Sequence, residues 1–204
     1  MKRPIILAAL IGSLALGTGV RPAAGYPVTW EFAGDVRNVG DRDGVLPESV
    51  TVGAPFSGSF TFESTTPDSE QDDPTHGIYE GALTSLSGIF GDVPFASNGL
   101  FDVTVLNDTT LPDDSFIFVG SAVFLNRIVN TSFGLTDLNA TIFSSDALPL
   151  VPPSLDRLDS IVFGLNSQEE GIFIGGDVTS LVPEPGTLCL LALGALMIAK
   201  GRTP

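Results

Sequence analysis

From residue 28 to residue 181 apolar and polar side chains alternate in short runs broken by Gly, Pro, Asp and Asn, with no helical period. Residues 28–32 open the pattern with the only tryptophan, Trp30, and a polar stretch follows to Arg42. Phe56, Phe60 and Phe62 fall on one face of a strand with Gly58 between them. Residues 64–77 read as a loop, because their prolines lack donors and their Asp and Ser side chains hydrogen-bond locally. Strand signals resume at 78–90, 101–105, 116–119, 123–125, 133–135 and 140–143, and 160–165 with 172–181 form a closing hairpin around 167–171. Nine or ten short strands at near-regular spacing predict an all-β fold, a single β-sandwich or jelly-roll-like domain over residues 26–181.

Both ends depart from this alternation. Lys2 and Arg3 precede an apolar run over residues 5–20, and Ala23-Ala24-Gly25 supplies the small residues that a signal peptidase reads. Residues 1–25 are therefore expected to be a cleaved signal peptide, cut after Ala24 or Gly25, and the following chain is expected outside the cytoplasm. At the other end, Pro183 and Pro185 stop the last strand near residue 181. An apolar helix is expected over 187–199, followed by the basic residues Lys200 and Arg202. Thirteen helical residues reach only about 20 Å, short of a hydrocarbon core of about 30 Å. The tail suits an anchor used in transit, with Lys200 and Arg202 as its cytoplasmic stop.

Removing the ends changes the charge. Residues 26–181 hold four arginines (Arg37, Arg42, Arg127 and Arg157) against 23 carboxylates, a formal charge of −19. Such a surface repels a phosphate backbone and excludes nucleic acid as a partner. The only cysteine, Cys189, lies in the tail, so the body has neither a disulfide nor thiolate chemistry.

The segment Pro183-Glu184-Pro185, the apolar span and the basic end together resemble the PEP-CTERM sorting signal of bacterial exported proteins. The resemblance spans residues 182–204 and implies that Pro183, Glu184 and Pro185 are read by an exosortase, a membrane processing enzyme. Family tails usually end in adjacent arginines, where this chain has Lys200-Gly201-Arg202. Residues 57–67 and 145–150, ahead of Pro152-Pro153, are similar to a body domain that recurs with this signal. The resemblance further implies extracellular polysaccharide as a surrounding partner, and a place at the cell surface or in the matrix.

Catalysis requires proton-exchanging groups held together. His76, the only histidine, sits in the acidic loop as a solvated residue, and Glu31, Glu63 and Glu80 stand out only as strand carboxylates. The expectation is a non-enzymatic structural or interaction role. Calcium is the one cofactor the loops could hold, since it takes six to eight oxygen ligands. Asp68, Glu70, Asp72 and Asp73 are the first choice, ahead of Asp41 with Asp43 and Asp113 with Asp114, although none has the spacing of an EF-hand loop. The alternative function is accordingly a Ca²⁺-dependent carbohydrate-binding module. One Trp and two Tyr are few for a sugar-binding platform, and most of the fourteen Phe fall at core positions. Asn107, Asn130 and Asn139 each begin an Asn-x-Ser/Thr tripeptide.

Overall fold

The computed structural model describes residues 27–107 and 113–184. The expected signal peptide over residues 1–25, Pro185, the expected apolar helix over 187–199, Lys200 and Arg202 lie outside them. Nine strands form: β1 (Pro27–Asp41), β2 (Pro55–Glu63), β3 (His76–Phe90), β4 (Val93–Ser97), β5 (Phe101–Leu106), β6 (Asp114–Phe124), β7 (Arg127–Asp137), β8 (Ser160–Ser167) and β9 (Ile172–Pro183). A single 3₁₀ turn, Leu155–Arg157, is the only helical element among the described residues.

All pairings are antiparallel, and chain neighbours pair except β4 with β5, while β9 returns to β1 at the closure. The short strands β4 and β5 share one position between β3 and β6. β4 pairs with Ser87–Phe90 and with the end of β6, whereas β5 pairs with the first half of β3 and the start of β6. The result is an up-and-down barrel with eight positions and no open sheet edge along most of its circumference. The all-β expectation holds. The strands close into one antiparallel sheet.

Closure requires bending, and the register shifts show where it occurs. β1 slips against β9 at Ala33/Gly34 and Val36/Asn38, and β3 slips against β5 between Tyr79 and Leu83. Bulges of this kind raise local twist and bend the strand. At the second site Asp102 accepts the Gly81 N–H at 2.7 Å, where Gly81 has φ +63°, a value that favours glycine. The β1 bulge also explains why the stretch before Arg42, expected to be irregular, is strand. One extra residue breaks the alternation without ending the ladder.

Aromatic rings fill the interior. Twelve of the fourteen phenylalanines are buried, together with Trp30. Phe32 of β1 touches Phe163 of β8, two strands along, at 4.9 Å between centroids, and Phe60 of β2 touches Phe133 of β7, on the opposite wall, at 5.0 Å. Rings of this size fit because glycines face them. Phe32 lies opposite Gly58, Phe56 opposite Gly34, Phe95 opposite Gly88 and Phe163 opposite Gly176. A Cβ at Gly58 would stand 2.7 Å from Phe32 Cζ, and one at Gly88 would stand 2.6 Å from Phe95 Cζ. Alternating large and small inward positions is how a small barrel fills its taper.

One expected strand is absent. Residues 140–143 have the right apolar alternation but form a loop, with Ala140 at φ +50°. The amides of Thr141, Ile142 and Phe143 are taken by carboxylates and that of Ala140 by the Asp137 carbonyl, so all are lost to any ladder.

Gly58→Ala is expected to destabilise the barrel by about 1–3 kcal/mol through overpacking. Phe32→Leu in the same chain should recover part of that loss, since the two positions are in contact. Urea unfolding followed by emission of the buried Trp30 measures both effects.

Candidate functional site

Pro183 and Glu184, the described residues of the Pro-Glu-Pro segment, lie at the barrel seam. β9 continues past the expected stop at residue 181 and ends at Pro183, which lies opposite Trp30 of β1. The Glu184 N–H donates to the Thr29 carbonyl at 3.0 Å, which makes Thr29/Glu184 a hydrogen-bonded position. In an antiparallel ladder the adjacent Trp30/Pro183 position then requires no N–H, so the proline fits. β8 covers β9 only as far as Asp177, and Thr179, Ser180, Leu181, Val182 and Pro183 are free of it on that side. There a groove of about 480 Å³ separates the end of β9 from residues 151–156. Glu184 is exposed beside it.

The acidic loop proposed for calcium is organised around its own backbone. Asp68 Oδ1 accepts the N–H groups of Glu70 and Ile78, both at 2.9 Å. Asp73 Oδ1 accepts the Thr75 hydroxyl at 2.7 Å and its N–H at 2.9 Å, and these hold its carboxyl below the ordinary range. Glu70 pairs with Nδ1 of His76 at 2.7 Å, and Asp72 faces solvent. Among the described residues, no three acidic, histidine or cysteine side chains converge as a metal site. Asp41 spends its two oxygens on the Val45 and Leu46 N–H groups, while Asp43 pairs with Arg42. Glu31 and Glu80 project outward from β1 and β3, strands that β2 separates in the ring, and Glu63 ends β2.

Asp114 and Asp137 are fully buried directly opposite each other at the ends of β6 and β7. Asp114 Oδ2 accepts the Ile142 and Phe143 N–H groups at 2.8 and 2.7 Å. Asp137 accepts the Asn139 N–H at 2.9 Å, and the Thr141 N–H and hydroxyl at 2.9 and 2.8 Å. The Asn139 amide is the largest influence on Asp137, ahead of the Thr141 contacts, and these bonds hold its carboxyl down at about 2. This pair is a loop clamp. Its trace in the sequence is an Asp two residues before Asn139 and four before Thr141, an arrangement suited to side-chain-to-backbone bonding. Tyr79 fastens the next segment by donating to the Asp146 carbonyl at 2.9 Å, and burial pushes its phenol up to about 12.

Because the Asp137 carboxyl is depressed, its contribution is fully present above the ordinary value of 3.8 and is lost as pH falls toward about 2. Asp137→Asn should therefore melt below the wild type at pH 7, and the gap should close across that acid window in a series of thermal melts. No helix among the described residues is long and apolar enough to cross a membrane. Comparison of the chain with protein-family models, characterised proteins and solved structures finds no match.

Proposed function

We propose that this chain is an exported protein, freed of residues 1–25 by signal peptidase and passed by its Pro183-Glu184-Pro185 tail to an exosortase. It ends at the cell surface or in the extracellular matrix, where the barrel has a non-enzymatic structural or interaction role. The observation that carries this reading is the position of Pro183 and Glu184. They leave the barrel at its closing seam, beside the start of β1 and the groove along the end of β9. The tail thus departs from a strand end that is hydrogen-bonded to β1, a firm attachment point for a tethered module. The ring-filled interior supports a structural role, because the volume in which small barrels hold a ligand is occupied here by Trp30 and phenylalanines. We also read the ring as flattened, with the β9–β1–β2–β3 wall packed on the β5–β8 wall in the manner of a sandwich. The cross-wall contact of Phe60 with Phe133 supports this.

The test is fractionation of the tagged full chain in an exosortase-containing host and in its exosortase-deleted derivative, beside Pro183→Ala and Glu184→Ala. Processing and surface delivery should require the enzyme and fail in the variants. Pro183→Ala should melt like the wild type, since its position needs no hydrogen bond. Unchanged size and location in every case would refute the sorting reading.

A further inference from the structure

We propose that the outer face of β7, β8, β9 and β1 around Phe173 binds a segment of uncharged polysaccharide. The inference goes beyond the sorting role and does not depend on it, because it rests on the chemistry of this face alone.

Phe173 is the exception to the distribution of phenylalanines. Twelve are buried and Phe143 packs against the core, whereas Phe173 stands on the outside of β9 and remains 49% exposed. Its ring lies along its own strand. A Cβ at Gly175 would be 3.3 Å from Phe173 Cζ and 3.6 Å from Cε1, and one at Gly40 would be 3.4 Å from Phe173 Cβ. Glycines at these two positions let the ring settle against the sheet with one face toward solvent. A larger side chain at either position would crowd it.

Beside the ring the sheet surface sinks. Gly164 of β8 pairs with Gly175 of β9, so two neighbouring outward positions have no side chain. A depression of about 200 Å³ results, reaching down to Phe163. Exposed Val162 lines it beside the ring, Asn38 and Ser132 supply its polar groups, and Asn166 stands just outside it. Asn38 lies opposite Gly175, Asn166 opposite Phe173 and Ser132 opposite Gly164. Asn166 also accepts from Asn130 Nδ2 at 3.5 Å, a weak contact that leaves the remaining groups of both amides for other partners. The charges at the rim cancel, since Arg37 and Asp177 form an ion pair at 3.4 Å.

An aromatic face next to amides and a hydroxyl, with no net charge, matches one ligand chemistry. A sugar ring offers a C–H face to the phenyl and adjacent hydroxyls that both donate and accept. The strongly acidic body disfavours an anionic polymer, while a locally neutral rim carries no such penalty for a neutral one. A protein partner would need about 1,000 Å² of complementary surface, far beyond one phenyl ring and a shallow depression. Every lining residue belongs to a strand, so the site is held rigid before any ligand arrives.

The experiment is affinity electrophoresis of the full chain, kept in mild detergent, through native gels containing dextran, soluble starch or hydroxyethylcellulose. Gels containing alginate serve as the anionic comparison. At least one neutral polymer should retard the protein and alginate should not. Phe173→Ala should weaken retardation about tenfold, the effect of one lost aromatic contact, while Phe173→Trp should retain it. Asn38→Ala should weaken it without altering the ring. All three variants should melt with the wild type, because both positions face outward. Failure of every neutral polymer, or equal retardation of Phe173→Ala, would overturn the proposal. So would a Phe173→Ala effect on oligomeric state in size-exclusion chromatography with no effect on retardation, since the ring would then be a contact between copies.

Discussion

Ring against glycine, repeated between adjacent strands, is the contact on which the rest of this barrel depends. Eight strand positions enclose too little space for inward side chains of uniform size, and twelve buried phenylalanines with a tryptophan are far from small. The conflict is resolved pairwise. Where Phe32, Phe56, Phe95 and Phe163 point inward, the residue directly across the ladder is Gly58, Gly34, Gly88 and Gly176. Phe32 lies over Gly58, Phe95 over Gly88, and Phe56 over both Gly34 and Gly176, so rings shield the backbone that these glycines leave bare and offset the usual weakness of glycine in a strand. Trp30 occupies the middle of this arrangement, with Phe60, Phe62 and Phe116 at 5.2–5.5 Å. Its indole N–H has no hydrogen-bond acceptor in the structure, so shape is what holds it in place.

The acidity has a local explanation. Asp41, Asp68, Asp73, Asp102, Asp114, Asp137 and Asp159 each accept backbone N–H groups at bends or strand ends. A barrel with long loops has many such orphan donors, and a carboxylate satisfies two or more at once. The four arginines of the body are all engaged: Arg37 with Asp177, Arg42 with Asp43, Arg127 with Glu170, and Arg157 with the Thr141 carbonyl. Seven of the 23 carboxylates that look in the sequence like a cation-seeking surface are loop scaffolding.

The sequence made the strands legible and hid their closure. The alternation of Phe101, Val103 and Val105, or of Phe56, Phe60 and Phe62, survives intact because the extra residues of the shifts against β3 lie in β3 itself, and β5 and β2 keep an unbroken register with β6 and β1. The second half of β1 was obscured by its bulge, and residues 140–143 imitated a strand because apolar spacing does not reveal that Asp114 and Asp137 take their amides. Phe173 was concealed for a different reason. Between Ile172 and Ile174 it reads as part of a continuous core run, and only the register shows it pointing outward. The position of Pro183 was equally hidden, since whether a proline ends a strand depends on which ladder position it occupies.

The meeting of β1 with β9 sets the order in which this molecule can be made. Seven of the eight ring contacts join neighbours in the chain and can form as each hairpin is completed. The eighth joins Trp30 to Pro183, the two extremes of the domain, and closes the largest loop the chain possesses. A nascent chain lacking β9 is an open, curled sheet with β1 and β8 unpaired along one side and a row of aromatic rings exposed between them. The ring therefore cannot close until the twelve residues of β9 arrive, and the strand that leads into the tail is the one that completes the barrel.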